Sequence, residues 1–92
     1  MNRKELASAV ATRTGLSVPL ANEAVAAVLD VIVREVSAGE AVVLPGFGSF
    51  EARDRAAREG RNPKTGEPMT IPAGRAPAFK AGLAFRREVS DH

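Results

Sequence analysis

The sequence predicts an α+β fold, and three observations predict it. Up to Gly39 the apolar residues recur at helical spacing. Beyond Gly39 the spacing shortens to the alternation of strands. Between two of those strands, the 18 positions from Glu51 to Pro68 hold no Val, Ile, Leu, Met or aromatic residue, and nine of them are charged.

The first helix starts at Asn2, whose side chain can cap it, with Glu5 three residues on as in a capping box. Leu6, Ala9, Val10 and Arg13 fall at helical spacing, and Gly15 ends the run. A longer helix follows. Ser17 is its cap, Pro19 lies near its first turn, and Leu20, Ala24, Val25, Val28, Leu29, Ile32, Val33 and Val36 make one broad apolar face. Gly39 closes it, and the short link through Gly15 predicts a helical hairpin. Ala41 to Leu44 is a short β-branched run, Pro45-Gly46 a turn, and Ser49 to Arg53 a strand with Phe50 facing inward. Met69, Ile71 and Ala73 alternate again as a strand returning to pair with the one before the gap. Pro68 and Pro72 then belong on an unpaired edge or at bulges. Lys80 to Val89, with Leu83, Phe85 and Val89 among charges, reads as a short C-terminal helix. There is no internal repeat.

At 92 residues the chain has room for one small domain over residues 1–92, which excludes a two-domain enzyme with a cleft between its halves. Of its hydrophobic 45%, 17 residues are Ala, leaving 24 large apolar side chains. A core that small usually needs reinforcement. Cys is absent, so neither a disulfide nor a Cys-based zinc site supplies it, and a single His, His92, supports no His-rich metal cluster. Oligomerisation is the remaining way to enlarge the core, and no cofactor is expected. No apolar run approaches the roughly 18 residues of a membrane span. The charged, helix-like start MNRKELASAV is unlike a signal peptide. A soluble, cytoplasmic protein with no membrane partner is the expectation.

Charge is unevenly placed. Residues 1–45 carry 4 basic against 5 acidic residues, and residues 46–92 carry 9 against 6. Ten of the 13 basic residues are Arg, whose planar fork suits phosphate. With a net charge of only +2, this is a hint of nucleic acid and no more.

The apolar-free interval admits two readings. As a surface loop it buries too little to offset its ordering entropy. As a two-stranded ribbon it would project from the body, spanning about residues 53–75, and be ordered only against a partner. Its tip would be Gly60-Arg61-Asn62-Pro63-Lys64-Thr65-Gly66, and the ten residues from Arg53 to Pro63 would reach roughly 30 Å at about 3.3 Å each. Arg53 and Arg55 share a face by alternation, whereas aligning Arg58 and Arg61 with them requires a bulge near Ala56-Ala57. Pro63 is ordinarily a turn former. On a basic arm it is also a rigid wedge able to enter a base step from the minor groove and kink the duplex.

These residues carry a resemblance. Gly46-Phe47-Gly48-Ser49-Phe50, then Arg55 and Arg58, then Gly60 through Gly66, then Pro77-Ala78-Phe79, resemble the signature of the HU/IHF family of bacterial DNA-bending, nucleoid-associated proteins, over nearly the whole chain. The resemblance implies an intertwined dimer, with a helical base, a saddle of sheet and two arms embracing DNA through the minor groove. It would place Arg53, Arg55, Arg58 and Arg61 along the arm, with Asn62 and Lys64 flanking the intercalating Pro63. Arg75 and Lys80 would lie on saddle and body beneath the duplex, and Arg86 on the flank, with Arg3 and Lys4 weaker flank candidates. Phe47, Phe50 and Phe79 would be dimer core. The chain departs from the family pattern at Glu67, Pro68 and Thr70, where family members often carry Lys or Arg, and at Ala81 and Leu83, where they often have a Ser cap and several Lys.

Three functions follow in descending order. The first is a histone-like architectural protein of the nucleoid, closest to HU, that binds double-stranded DNA with little sequence preference and bends or compacts it. The partner subunit would be a second copy or a paralogue. The second is an IHF-like subunit that selects a site through DNA deformability. The third is a structural dimer gripping an acidic protein. An enzyme is not expected, because no nucleophile–base or paired-carboxylate arrangement is present. Gly46-Phe47-Gly48 lacks the third Gly of a phosphate loop, and Lys64-Thr65 lacks the Gly a P-loop needs before its Lys.

Overall fold

The structure, a computed structural model, describes residues 1–91. His92, with the metal argument attached to it, lies outside the described residues. The elements are α1 (Arg3–Thr14), α2 (Val18–Ser37), β1 (Val42–Leu44), β2 (Gly48–Arg55), β3 (Arg58–Arg61), β4 (Pro68–Ile71), β5 (Gly74–Ala81) and α3 (Leu83–Ser90), an α+β arrangement. They fall into two compact units, Met1–Glu35 and the part from Val36 onward.

In the first unit the capping box forms as the sequence predicts. The Glu5 N–H donates to Asn2 Oδ1 at 2.8 Å, and the Asn2 N–H donates to Glu5 Oε1 at 3.4 Å. Two of the donors that a helix start leaves orphaned are thereby satisfied, with a carboxylate beside the positive end of the helix. The Gly15 N–H closes α1 by donating to the Ala11 carbonyl. Ser17 caps α2, its Oγ accepting from the Leu20 N–H at 3.3 Å. Across this link the helical hairpin bends by 116°. The buried residues here are Ala7, Ala11 and Ala21, each with a single methyl group. The face expected from periodicity is displaced: Leu6 and Ala9 are exposed, and Ala7 and Ala11 take the inner positions. Periodicity marks an apolar stripe but does not say which of two adjacent stripes has a neighbour. The apolar face of α2 is largely open, with Val28 56% and Val33 62% exposed.

In the second unit β1, β2 and β5 form an antiparallel sheet with β2 in the centre, and β3 and β4 form a separate two-stranded ladder. The strand before the gap thus pairs with Gly74–Ala81, whereas Met69 and Ile71 pair with residues inside the gap. Of the two readings of the interval the ribbon is the one that forms, and its returning leg is longer than the alternation of Met69, Ile71 and Ala73 implies. Arg55 faces Gly74 and Arg58 faces Ile71, so two residues on one leg oppose two on the other across the break. Register is conserved, and the bulge at Ala56-Ala57 is not present. Pro72 sits in that break, where no ladder bond is required of it, and Pro68 opens β4 opposite Arg61. The C-terminal helix begins at Leu83, not Lys80. Lys80 and Ala81 complete β5, and Gly82 turns the chain, its N–H donating to the Phe47 carbonyl at 2.8 Å.

Candidate nucleic-acid interface

Register assigns the faces of the sheet, because directly opposed residues point the same way and neighbours along a strand point oppositely. One face carries the pairs Phe50–Phe79, Ala52–Pro77 and Asp54–Arg75. The other carries Ser49–Lys80, Glu51–Ala78, Arg53–Ala76 and Arg55–Gly74. The first is apolar near β1, and the second is a smooth polar strip whose β5 side is small apart from Lys80.

Against the apolar face the four phenylalanines gather. Phe50 and Phe79 have centroids 4.8 Å apart, Phe47 and Phe85 5.3 Å, and Phe47 and Phe79 5.5 Å, within the range of tilted aromatic packing. Gly48 is what lets the strands close here. A Cβ at that position would stand 2.5 Å from the Lys80 carbonyl oxygen and 2.7 Å from the Phe79 ring. The cluster is half covered, with Phe47 45% and Phe79 43% exposed. Phe85, which the sequence reading left among the charges of α3, belongs to it. Its signal was that it is the one aromatic of the last segment, at helical spacing from Val89.

The ribbon tip is a network rather than a free loop. The Asn62 N–H donates to the Glu67 carbonyl and the Gly66 N–H to the Asn62 carbonyl, at 2.9 and 2.7 Å. Asn62 Oδ1 accepts from the Lys64 N–H at 2.9 Å, and Thr65 Oγ1 accepts from the Glu67 N–H at 3.3 Å. Gly66, at φ 73°, supplies the left-handed residue that closes the turn. Pro63 stands between these bonds, where its missing N–H costs nothing. Arg61 spans the legs beneath it, its Nη1 donating to the Gly66 carbonyl at 2.9 Å.

The expected DNA-binding residues therefore fall into distinct groups. Arg53, Arg55 and Lys80 share the polar face, with Arg53 Nε 3.1 Å from Glu51 Oε1. Arg75 lies on the opposite face, where its Nη2 donates to the Ser37 carbonyl at 2.7 Å. That cation caps the end of α2, a favourable place for positive charge. Arg58 shares a ribbon face with Gly60, Met69 and Ile71, and Arg61 shares the other with Glu59 and Thr70. Arg55 and Arg58 also flank a notch of about 290 Å³ at the ladder break, with Ala56, Ile71 and Pro72. Arg86 is on the exposed surface of α3, while Arg3 and Lys4 belong to the first turn of α1 in the other unit. Among the described residues, Arg55, Arg58, Lys64, Lys80 and Arg86 have no side-chain ion pair.

Comparison with known proteins gives a consistent result. The family model described as bacterial DNA-binding protein matches residues 1–90. The DNA-binding protein HU of Nostoc sp. is 52% identical over 90 residues, covering 98% of this chain and 96% of the relative. That of Geobacillus stearothermophilus is 54% identical over 89 residues, covering 97% and 99%. Among solved structures, an Anabaena HU–DNA cocrystal structure matches with a TM-score of 0.95 at 51% identity, covering both chains completely. An HU mutant from Thermotoga maritima matches with a TM-score of 0.72 at 28% identity, covering 97% and 99%.

Proposed function

The chain belongs to the bacterial DNA-binding protein family, the HU/IHF group, and from that premise we propose that it is a histone-like architectural protein that binds double-stranded DNA as a dimer and bends or compacts it, without enzymatic activity. The observation that carries this reading is the ribbon. Among the described residues strands β3 and β4 bond only to each other; they hold the register of the body sheet and carry Arg58 and Arg61 on opposite faces. A ribbon with a guanidinium on each face is suited to a minor groove about 6 Å wide, whose two walls are both phosphate backbones. Arg55, Arg58, Lys64 and Lys80 neutralise phosphates and release counterions. The Pro63 wedge unstacks a base step, a cost offset by the longer contact that curved DNA makes with the protein. Arg61 and Asn62 hold the wedge at the tip, and Arg86 meets phosphates that bend round the flank.

Residues 1–92 act as one DNA-binding domain, with the arm at about 53–75, located in the cytoplasm on the nucleoid. The half-covered Phe47, Phe50 and Phe79, together with Phe85, become core when a second protomer covers them. With no Tyr or Trp and all four Phe outside the arm, the stacking platform for single strands is missing, which favours duplex. The test is a gel-shift and fluorescence series with random-sequence linear, nicked and four-way DNA at rising salt. A dimer neutralising about 8 phosphates gives a log–log salt slope near −7. Retardation without an enriched consensus is expected; one enriched consensus would mark an IHF-like selector, and no retardation at moderate salt would return the acidic-protein reading.

A further inference from the structure

The polar strip of the sheet is not uniformly cationic: Glu51 stands in it, between Ser49 and Arg53 on the same face of β2. Its Oε1 takes the Arg53 Nε at 3.1 Å, an ion pair between side chains 40% and 60% exposed. A carboxylate in that place offers the guanidinium what a phosphate would offer, an anionic oxygen at hydrogen-bond distance. Arg55 is next on the same face and has no such partner among the described residues. Its Coulomb attraction is fully available to an incoming polyanion, whereas that of Arg53 is already engaged.

Resting on the DNA-binding reading above, we propose that Glu51 is an affinity-setting residue, an internal substitute for a DNA phosphate that must release Arg53 before the duplex can take it. The exchange costs little because the pair is exposed, and exposed pairs are weak. It also lowers the net release of counterions. When Arg53 moves to a phosphate, one cation is freed from the DNA, but the uncovered Glu51 attracts one in return. Glu51 thereby weakens the grip and flattens its dependence on salt, two properties suited to a protein that must leave DNA as readily as it binds.

A double-mutant cycle on the full chain tests this, using fluorescence anisotropy with a labelled random-sequence duplex across a salt series. Wild-type binding, which the function reading requires, is measured first; its absence would sink that reading independently of this one. If wild type binds, Glu51→Gln tightens affinity about three- to tenfold at low salt, with two such pairs per dimer. It also steepens the salt slope by about one to two. Arg53→Gln weakens binding, and in that background Glu51→Gln changes nothing. An equal gain in both backgrounds would mean simple repulsion of DNA by a nearby charge and overturn the proposal, as would no gain in either. Thermal unfolding of each variant confirms that the exposed substitutions leave the fold intact.

Discussion

The basic residues that look alike in the sequence are chemically unequal. Arg53, Arg61 and Arg75 each donate to an oxygen of the protein itself, and among the described residues Arg55, Arg58 and Lys64 do not pair with any carboxylate. Arg58→Ala should therefore weaken binding to all sequences alike and reduce the salt slope by about 1 per protomer, as read by anisotropy at several salt concentrations. Arg61→Ala should weaken binding similarly and also lose the bond to Gly66 that braces the wedge. Pro63→Ala should reduce kinking more than affinity, and unchanged bending by fluorescence energy transfer would count against the wedge. Arg75→Gln acts elsewhere. Its bond to Ser37 lies on the face away from Arg53 and Lys80, so thermal stability should fall by about 1–2 kcal/mol while the salt slope stays near wild type. At Gly48 the missing side chain is what matters: Gly48→Ala pushes a methyl group against the Lys80 carbonyl and Phe79. That should cost about 1–3 kcal/mol in denaturant unfolding.

At the scale of elements, the body sheet and ribbon share one register but not one ladder. The ladder stops at Arg55–Gly74 and resumes at Arg58–Ile71. At the interruption Ala56, Ala57, Pro72 and Ala73 stand outside the ladder, and Pro72 lacks an N–H with which to join it. Excising residues 56–73 and joining the legs with a two-residue turn should leave the three-stranded sheet folded, with near-native circular dichroism, while DNA affinity collapses. Retained binding by that variant would remove the arm from the account. Alternation located the strands of the body sheet, since it reports which residues tolerate burial. The outgoing leg of the ribbon has no large apolar residue to alternate, and its composition alone favours a loop. Alternation did not locate the break, because Ala56 and Ala57 carry no turn chemistry, nor the true start of α3, since Lys80 is a helix former by propensity and is held in β5 by its pairing with Ser49.

At the scale of the molecule, the protomer does not enclose its own apolar residues. Among the described residues none with a large side chain is fully buried, and the face of α2 and the phenylalanine cluster remain partly open. Folding and assembly should accordingly be one event. The unfolding midpoint is expected to rise with protein concentration, and sedimentation should report twice 9.7 kDa with no folded monomer on dilution. A concentration-independent midpoint would show a self-sufficient protomer.

Although they left the choice between loop and ribbon open, composition and local pattern were enough to determine the α+β class and both N-terminal helices with their caps, and to mark the Asn62-Pro63 turn. Each depends on residues close together in the chain, through spacing, capping and turn chemistry. The tertiary structure alone decided that Arg75 donates to the Ser37 carbonyl, that Phe85 joins the other three rings, and that Ala7 and Ala11 are the inner side of α1. Those outcomes depend on which strand face and which helix stripe acquires a neighbour, and that neighbour comes from pairing across distant parts of the chain.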